Sequence, residues 1–121
     1  MTYEEARAFI DDTARYGAVL GLDSVTELMR RLGNPQDELK FVHIAGTNGK
    51  GSTLAYISTI LKEAGYRVGR YISPTISSYR ERIQVGEKYI TREGVARLTE
   101  QIREACEKMV NDGFSHPTTF E

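Results

Sequence analysis

Phe41-Val42-His43-Ile44-Ala45-Gly46-Thr47-Asn48-Gly49-Lys50-Gly51-Ser52-Thr53 decides how this chain is read. An apolar run, Phe41 to Ala45, leads into a turn that carries Gly46, Gly49, Lys50 and Gly51, and a helical pattern begins at once. That order directs backbone N–H groups, a helix N-terminus and one ammonium at a single point, which suits a polyphosphate. The strict phosphate-loop pattern G-x-x-x-x-G-K-[ST] is met only at Gly49-Lys50. Ile44 stands where its first glycine belongs, and Gly51 replaces the hydroxyl residue after the lysine. The physical requirements are still satisfied: the glycines let backbone approach phosphate without a Cβ clash, and Lys50 supplies a point charge. The bland alternative is a glycine-rich strand–helix turn with a solvent-facing lysine.

Working outward, Phe41 to Ala45 is apolar on both faces, as in a strand covered on both sides. Leu54, Ile57, Leu61 and Ala64 recur at helical spacing until Gly65, and Arg67 to Ile72 reads as a second strand. The strand–helix–strand unit over 40–72 predicts a right-handed parallel crossover. Residues 1–39 form a helical lead-in. Its first helix carries a Thr2–Glu5 capping box and the stripe Ala6, Phe9, Ile10 and Thr13, ending near Arg15. Its second runs from Asp23 or Ser24 through Val25, Leu28, Met29 and Leu32 to a stop at Gly33-Asn34-Pro35.

Downstream, 73–90 reads as a loop and a hairpin turning at Gly86-Glu87. Residues 91–121 hold a long helix with the stripe Val95, Leu98, Ile102, Ala105 and Met109, closed by Asn111-Asp112-Gly113. Thr118-Thr119-Phe120-Glu121 repeats the capping-box spacing and announces one more helix. The expected fold class is α/β, a P-loop-containing, three-layer mononucleotide-binding fold preceded by a helix pair. It is expected to be incomplete, because two parallel strands cannot bury both faces of a sheet.

The 121 residues suit one domain. Sixteen basic against seventeen acidic side chains leave a net charge of −1, so no bulk field favours nucleic acid or a membrane surface. No apolar run approaches spanning length, and Met1 leads into an acidic segment unlike a signal peptide. Cys106 is the only cysteine, which excludes an internal disulfide and fits a reducing, cytoplasmic setting. His43, mid-strand among apolar neighbours, reads as a core histidine, and His116 has no partner at metal-ligand spacing. Cys106 lacks the flanking charges of an activated thiolate.

The loop Ala45 to Thr53 resembles the ATP loop of Mur-type amide ligases, and more closely that of folylpolyglutamate synthase and dihydrofolate synthase. The resemblance extends to Leu20-Gly21-Leu22, Arg31-Leu32-Gly33-Asn34-Pro35, Ala64 to Gly69, Tyr71-Ile72-Ser73-Pro74, Glu81-Arg82-Ile83 and Pro117 to Glu121. It covers essentially the whole chain in order and implies a Mur ligase central-domain type of fold. It also implies that 1–121 is the N-terminal part of the ATP-binding domain, without the C-terminal glutamate-binding domain.

The implied reaction is an ATP-dependent ligation. ATP phosphorylates a carboxylate of folate or dihydropteroate, and the amine of L-glutamate displaces phosphate from the acyl phosphate. The implied full-length enzyme is a cytoplasmic monomer acting on small molecules, with ATP and Mg²⁺ as cofactors and no nucleic-acid or membrane partner. Lys50 would be the catalytic cation, and Thr47, Asn48, Gly49, Lys50, Gly51, Ser52 and Thr53 would bind ATP. Ser73 and Glu121 match the family's magnesium ligands, both hard oxygen donors.

Arg82 would grip an anionic part of the folate substrate through its planar fork. Leu20, Gly21 and Leu22 would line the pterin pocket. Each role has a plainer alternative: a turn at Ser73-Pro74, capping alone at Glu121, a surface ion pair of Arg82 with Glu81 or Glu87, and a simple connection at 20–22. Thr75 stands where relatives commonly carry histidine, and Tyr79 where a polar residue often stands. Two other functions remain open, a nucleotide-binding module without ligase activity and another Mur-type ligase.

Overall fold

A computed structural model describes residues 1–17 and 21–121. The chain divides into two compact units, residues 1–40 with 92–121, and residues 41–91.

The first unit is helical. Helix α1 (Tyr3–Asp12) opens on the expected capping box: Thr2 accepts from the Glu5 N–H, and Glu5 accepts in return from the Thr2 N–H. It stops earlier than the stripe suggests and tightens into a 3₁₀ turn over Thr13–Tyr16. Helix α2 (Asp23–Arg31) is followed by Gly33 and by Asn34 in the left-handed region, with Pro35 opening a 3₁₀ turn. In α2, Glu27 accepts from both Arg30 and Arg31, which hold its carboxyl down at about 2. Arg31 also reaches Asp112 at 2.8 Å, tying α2 to the end of the long helix α4 (Arg92–Asn111).

The core of this unit is Leu28, Ala105, Cys106 and Met109, with Met29, Leu32 and Ile102 packed against it. The buried stripe of α4 also includes Val95 and Thr99, whereas Leu98 is 39% exposed. The face turned inward is therefore rotated by about one residue from the apolar pattern. Thr99 is buried because its place on that face outweighs its hydroxyl.

The second unit holds α3 (Lys50–Glu63) and a three-stranded sheet of β1 (Gly69–Tyr71), β2 (Ile83–Val85) and β3 (Lys88–Tyr89). The hairpin β2–β3 turns on Gly86 and Glu87, both at positive φ (60° and 66°), the geometry that matches strand twist in a two-residue loop.

Here the structure corrects the expected crossover. Phe41–Ala45 pairs with no strand among the described residues, and Phe41 and Val42 are 69% and 63% exposed. The second strand shrinks to Gly69–Tyr71 and runs antiparallel to β2, Tyr71 opposite Ile83, rather than parallel to residues 41–45. Local sequence can supply a hairpin partner for β1 within about a dozen residues, whereas a parallel neighbour must come from a longer crossover. His43 is correspondingly exposed, not a core residue. The half-buried side chains of α3, Leu54, Ile57 and Leu61, follow the expected stripe, but none of them is fully buried.

Candidate functional site

The turn between Ala45 and α3 has the form its glycines demand. Gly49 sits at φ +78° as the N-cap of α3, a conformation that disfavours any side chain. Having none, it cannot cap the helix. Thr53 N–H makes the first helical bond, to the Gly49 carbonyl at 3.0 Å. The N–H groups of Lys50, Gly51 and Ser52 therefore stand ahead of the hydrogen-bond ladder, at the positive end of a 14-residue helix.

A Cβ at Gly49 or Gly51 would meet no heavy atom within 4 Å, so neither glycine is required by crowding at that point. The Lys50 stem turns back over Gly46, its Cγ 3.9 Å from where a Gly46 Cβ would lie. The lysine stem and the leading amides of α3 thus belong to one turn. Its chemistry is that of an anion site in which backbone donors and a point charge act together.

The same unit places Ser73, Arg82 and the loop joining them. Glu81 organises this loop, a role the sequence reading does not assign to it. Its carboxylate is buried and accepts from Ile76 N–H (2.8 Å), Ser77 N–H (3.1 Å) and the Ser77 hydroxyl (2.6 Å). These bonds, the hydroxyl's foremost, hold its carboxyl below the usual range against the opposing effect of burial. A Ser-Ser pair four and three residues before a glutamate is the signal that could have revealed it.

Arg82 follows in the 3₁₀ turn Tyr79–Arg82, its guanidinium 5.4 Å from the Tyr79 ring centre. Its Nε is buried and finds no acceptor. Neither expected surface partner is engaged with it. Glu81 is occupied with the loop, and Glu87 pairs with Lys62 at 2.9 Å. A half-buried guanidinium without an ion-pair partner among the described residues suits an incoming carboxylate. Ser73 is exposed and precedes a cis bond to Pro74.

Glu121, the other expected metal ligand, belongs to the helical unit. Its segment is fastened by Thr119 N–H donating to Thr13 Oγ1 (2.8 Å) and by His116 stacked on Tyr16 at 4.3 Å between ring centres. The announced capping box forms by half: Glu121 Oε2 accepts from Thr118 N–H at 2.8 Å, while the buried Thr118 Oγ1 has no partner. Glu121 keeps its second carboxylate oxygen, and Ser73 its hydroxyl, for other use. Each is a hard oxygen donor of the kind magnesium accepts. Among the described residues no group of three or more His, Cys, Asp or Glu could hold a metal by itself. Of the expected pterin-pocket loop, Leu20 lies outside the described residues; Gly21 is at φ +107°, and Leu22, the N-cap of α2, is 73% exposed.

No family model matches the chain. It is 40% identical to the dihydrofolate synthase/folylpolyglutamate synthase of Bacillus subtilis over 119 residues, 98% of this chain and 28% of that protein. Among solved structures, the apo form of Lactobacillus casei folylpolyglutamate synthase superposes with a TM-score of 0.90 at 31% identity, covering 99% of this chain and 30% of that one. The complex of that enzyme with AMPPCP and folate gives 0.88 at 30% identity, over 99% and 29%. The chain thus spans less than a third of the length of these relatives. The match is to their N-terminal part, and the fold is a portion of the Mur ligase fold.

Proposed function

We propose, from the premise that this chain's sequence and fold are those of the N-terminal portion of folylpolyglutamate and dihydrofolate synthases, that it carries the ATP site of a ligase joining L-glutamate to folate or dihydropteroate. The observation that carries this reading is the left-handed Gly49 that opens α3, with the amides of Lys50, Gly51 and Ser52 ahead of the helical ladder and the Lys50 stem folded over Gly46. Thr47 to Thr53 would wrap the triphosphate, and the amides of Lys50, Gly51 and Ser52 would donate to its phosphate oxygens. Lys50 would neutralise the γ-phosphoryl group as it moves to the substrate carboxylate, a transfer that depends on positioning and charge more than on covalent help from the protein.

Arg82 would hold an anionic part of the folate or dihydropteroate, with Gly21 and Leu22 (and Leu20) along the pterin. Glu81 fixes the backbone of Ile76 and Ser77 and so steadies the loop between Ser73 and Arg82. Ser73 and Glu121 would each offer an oxygen ligand to Mg²⁺, which when bound supplies charge neutralisation. No helix among the described residues is long and apolar enough to cross a membrane, and the small-molecule substrates together with a buried free thiol favour the cytoplasm as the place of action.

The test is direct binding of Mg-ATP to the chain by titration calorimetry, with Lys50→Ala beside it. Charge-assisted hydrogen bonds contribute about 1.5–3 kcal/mol, so the variant should bind roughly ten- to a hundred-fold more weakly with an unchanged fold. Equal affinity of the two proteins would remove the lysine from the site and with it this reading.

A further inference from the structure

We propose that the crevice between the second half of α3, β1 and the β2–β3 turn is a second anion site, built for a small oxyanion of phosphate or carboxylate type. It has a volume of about 70 Å³ and is lined by Ser58, Thr59, Lys62, Arg67, Arg70 and Glu87, among others. A single water needs roughly 10–15 Å³ measured this way, so the space admits several waters or one small oxyanion and excludes a nucleotide.

Arg70 is the fixed donor. It stands on β1 opposite Gln84, on the half-buried face of the ladder. Its Nε is sealed from solvent and has no acceptor. The sealed Nε keeps the fork anchored in the wall, and an oxyanion in the crevice would take its hydrogen bonds from the terminal amines of the guanidinium. The charge balance agrees. Lys62 and Glu87 neutralise each other at 2.9 Å, which leaves Arg67 and Arg70 uncompensated on the crevice wall.

The hydroxyls divide the remaining work. Ser58 gives its proton to the Leu54 carbonyl and can only accept, whereas the Thr59 hydroxyl is uncommitted and can donate. Thr59 lies nine residues along α3 from Lys50, about 14 Å at 1.5 Å per residue, so the crevice is separate from the nucleotide cradle.

The experiment is an NMR titration of the whole 121-residue chain with inorganic phosphate, and in parallel with L-glutamate, at ionic strength held constant with sodium chloride. It follows backbone amides and arginine Nε–H signals in a Lys50→Ala background, which weakens the cradle's own response. Saturable movement of the Arg70 Nε–H and Thr59 amide signals is expected, lost in Arg70→Gln. Saturation by phosphate identifies a free phosphate ion, and saturation by glutamate alone identifies a carboxylate; either supports the site. Shifts that track chloride without saturating, saturation confined to residues 46–53, or equal affinity in Arg70→Gln would overturn it. Should Arg70→Gln disturb the sheet, Arg67→Gln and Thr59→Val at exposed positions carry the same test. A roughly tenfold loss in affinity supports the site, and no loss overturns it.

Discussion

Arg82 and Glu81 are neighbours in sequence with different surroundings: one has no ion-pair partner among the described residues, the other uses its oxygens to shape the loop beside it. Arg82→Lys keeps the charge and loses the planar fork, so in a folate-binding titration it should behave nearly as poorly as Arg82→Ala. Full retention by lysine would show that charge alone is read at this position. Glu81→Gln keeps the shape and halves the acceptor capacity. The amides of Ile76 and Ser77 should then exchange with deuterium measurably faster than in the parent chain.

The same carboxylate makes this loop sensitive to acid. Its folded-state pKa lies below the unfolded value, so its stabilising bonds are present above the ordinary glutamate range, about 4.3, and are lost as pH falls through the lowered value. Exchange protection of Ile76 and Ser77 should therefore fall on acidification below the ordinary glutamate range. In Glu81→Gln, which cannot titrate there, it should not respond.

At the scale of elements, the two units are held by different means. The helical unit closes on Met109 and Cys106, both essentially inaccessible to solvent, and on the Arg31–Asp112 link between α2 and α4. Met109→Ala should cost about 2–5 kcal/mol, read as a lowered denaturation midpoint by circular dichroism at 222 nm, where α4 dominates. In the sheet unit α3 has no fully buried side chain, and Tyr56 and Ile60 are 72% and 66% exposed.

This contrast also explains what could be read from sequence and what could not. Helix starts, the stop of α2 at Gly33-Asn34-Pro35, the capping box at Thr2 and the turn at Gly86-Glu87 were legible, because each is settled by residues within one or two turns of one another. The pairing of Phe41–Ala45 was not, since apolar residues say that a strand wants covering but not by what. The rotation of α4 that buries Thr99 and exposes Leu98 depends on neighbours far away in the chain. The role of Glu81 was hidden because a glutamate beside an arginine looks like an ion pair until the serine loop is seen to claim it.

Taken as a whole, the 121 residues carry almost no net charge and two kinds of surface. One is the charged exterior of the helical unit, laced with pairs such as Arg7–Asp11 and Arg103–Glu100. The other is the more apolar exterior of residues 41–91, where Phe41, Val42, Tyr56, Ile60, Tyr66 and Tyr71 are all exposed. The charged pairs are worth little individually, so the integrity of the helical unit rests on its small interior.

That interior holds the only sulfhydryl in the protein, pushed up to about 11 by burial and out of reach of solvent. A thiol so placed is chemically silent while the helices stay closed and becomes an ordinary alkylation target once they part. Iodoacetamide should therefore leave the native chain unlabelled at pH 8 over hours and modify it at a rate set by opening as urea is added. Mass spectrometry of that one adduct would turn Cys106 into a stopwatch for the breathing of its unit. Rapid labelling without denaturant would mean that the seal around Met109 is not kept in solution.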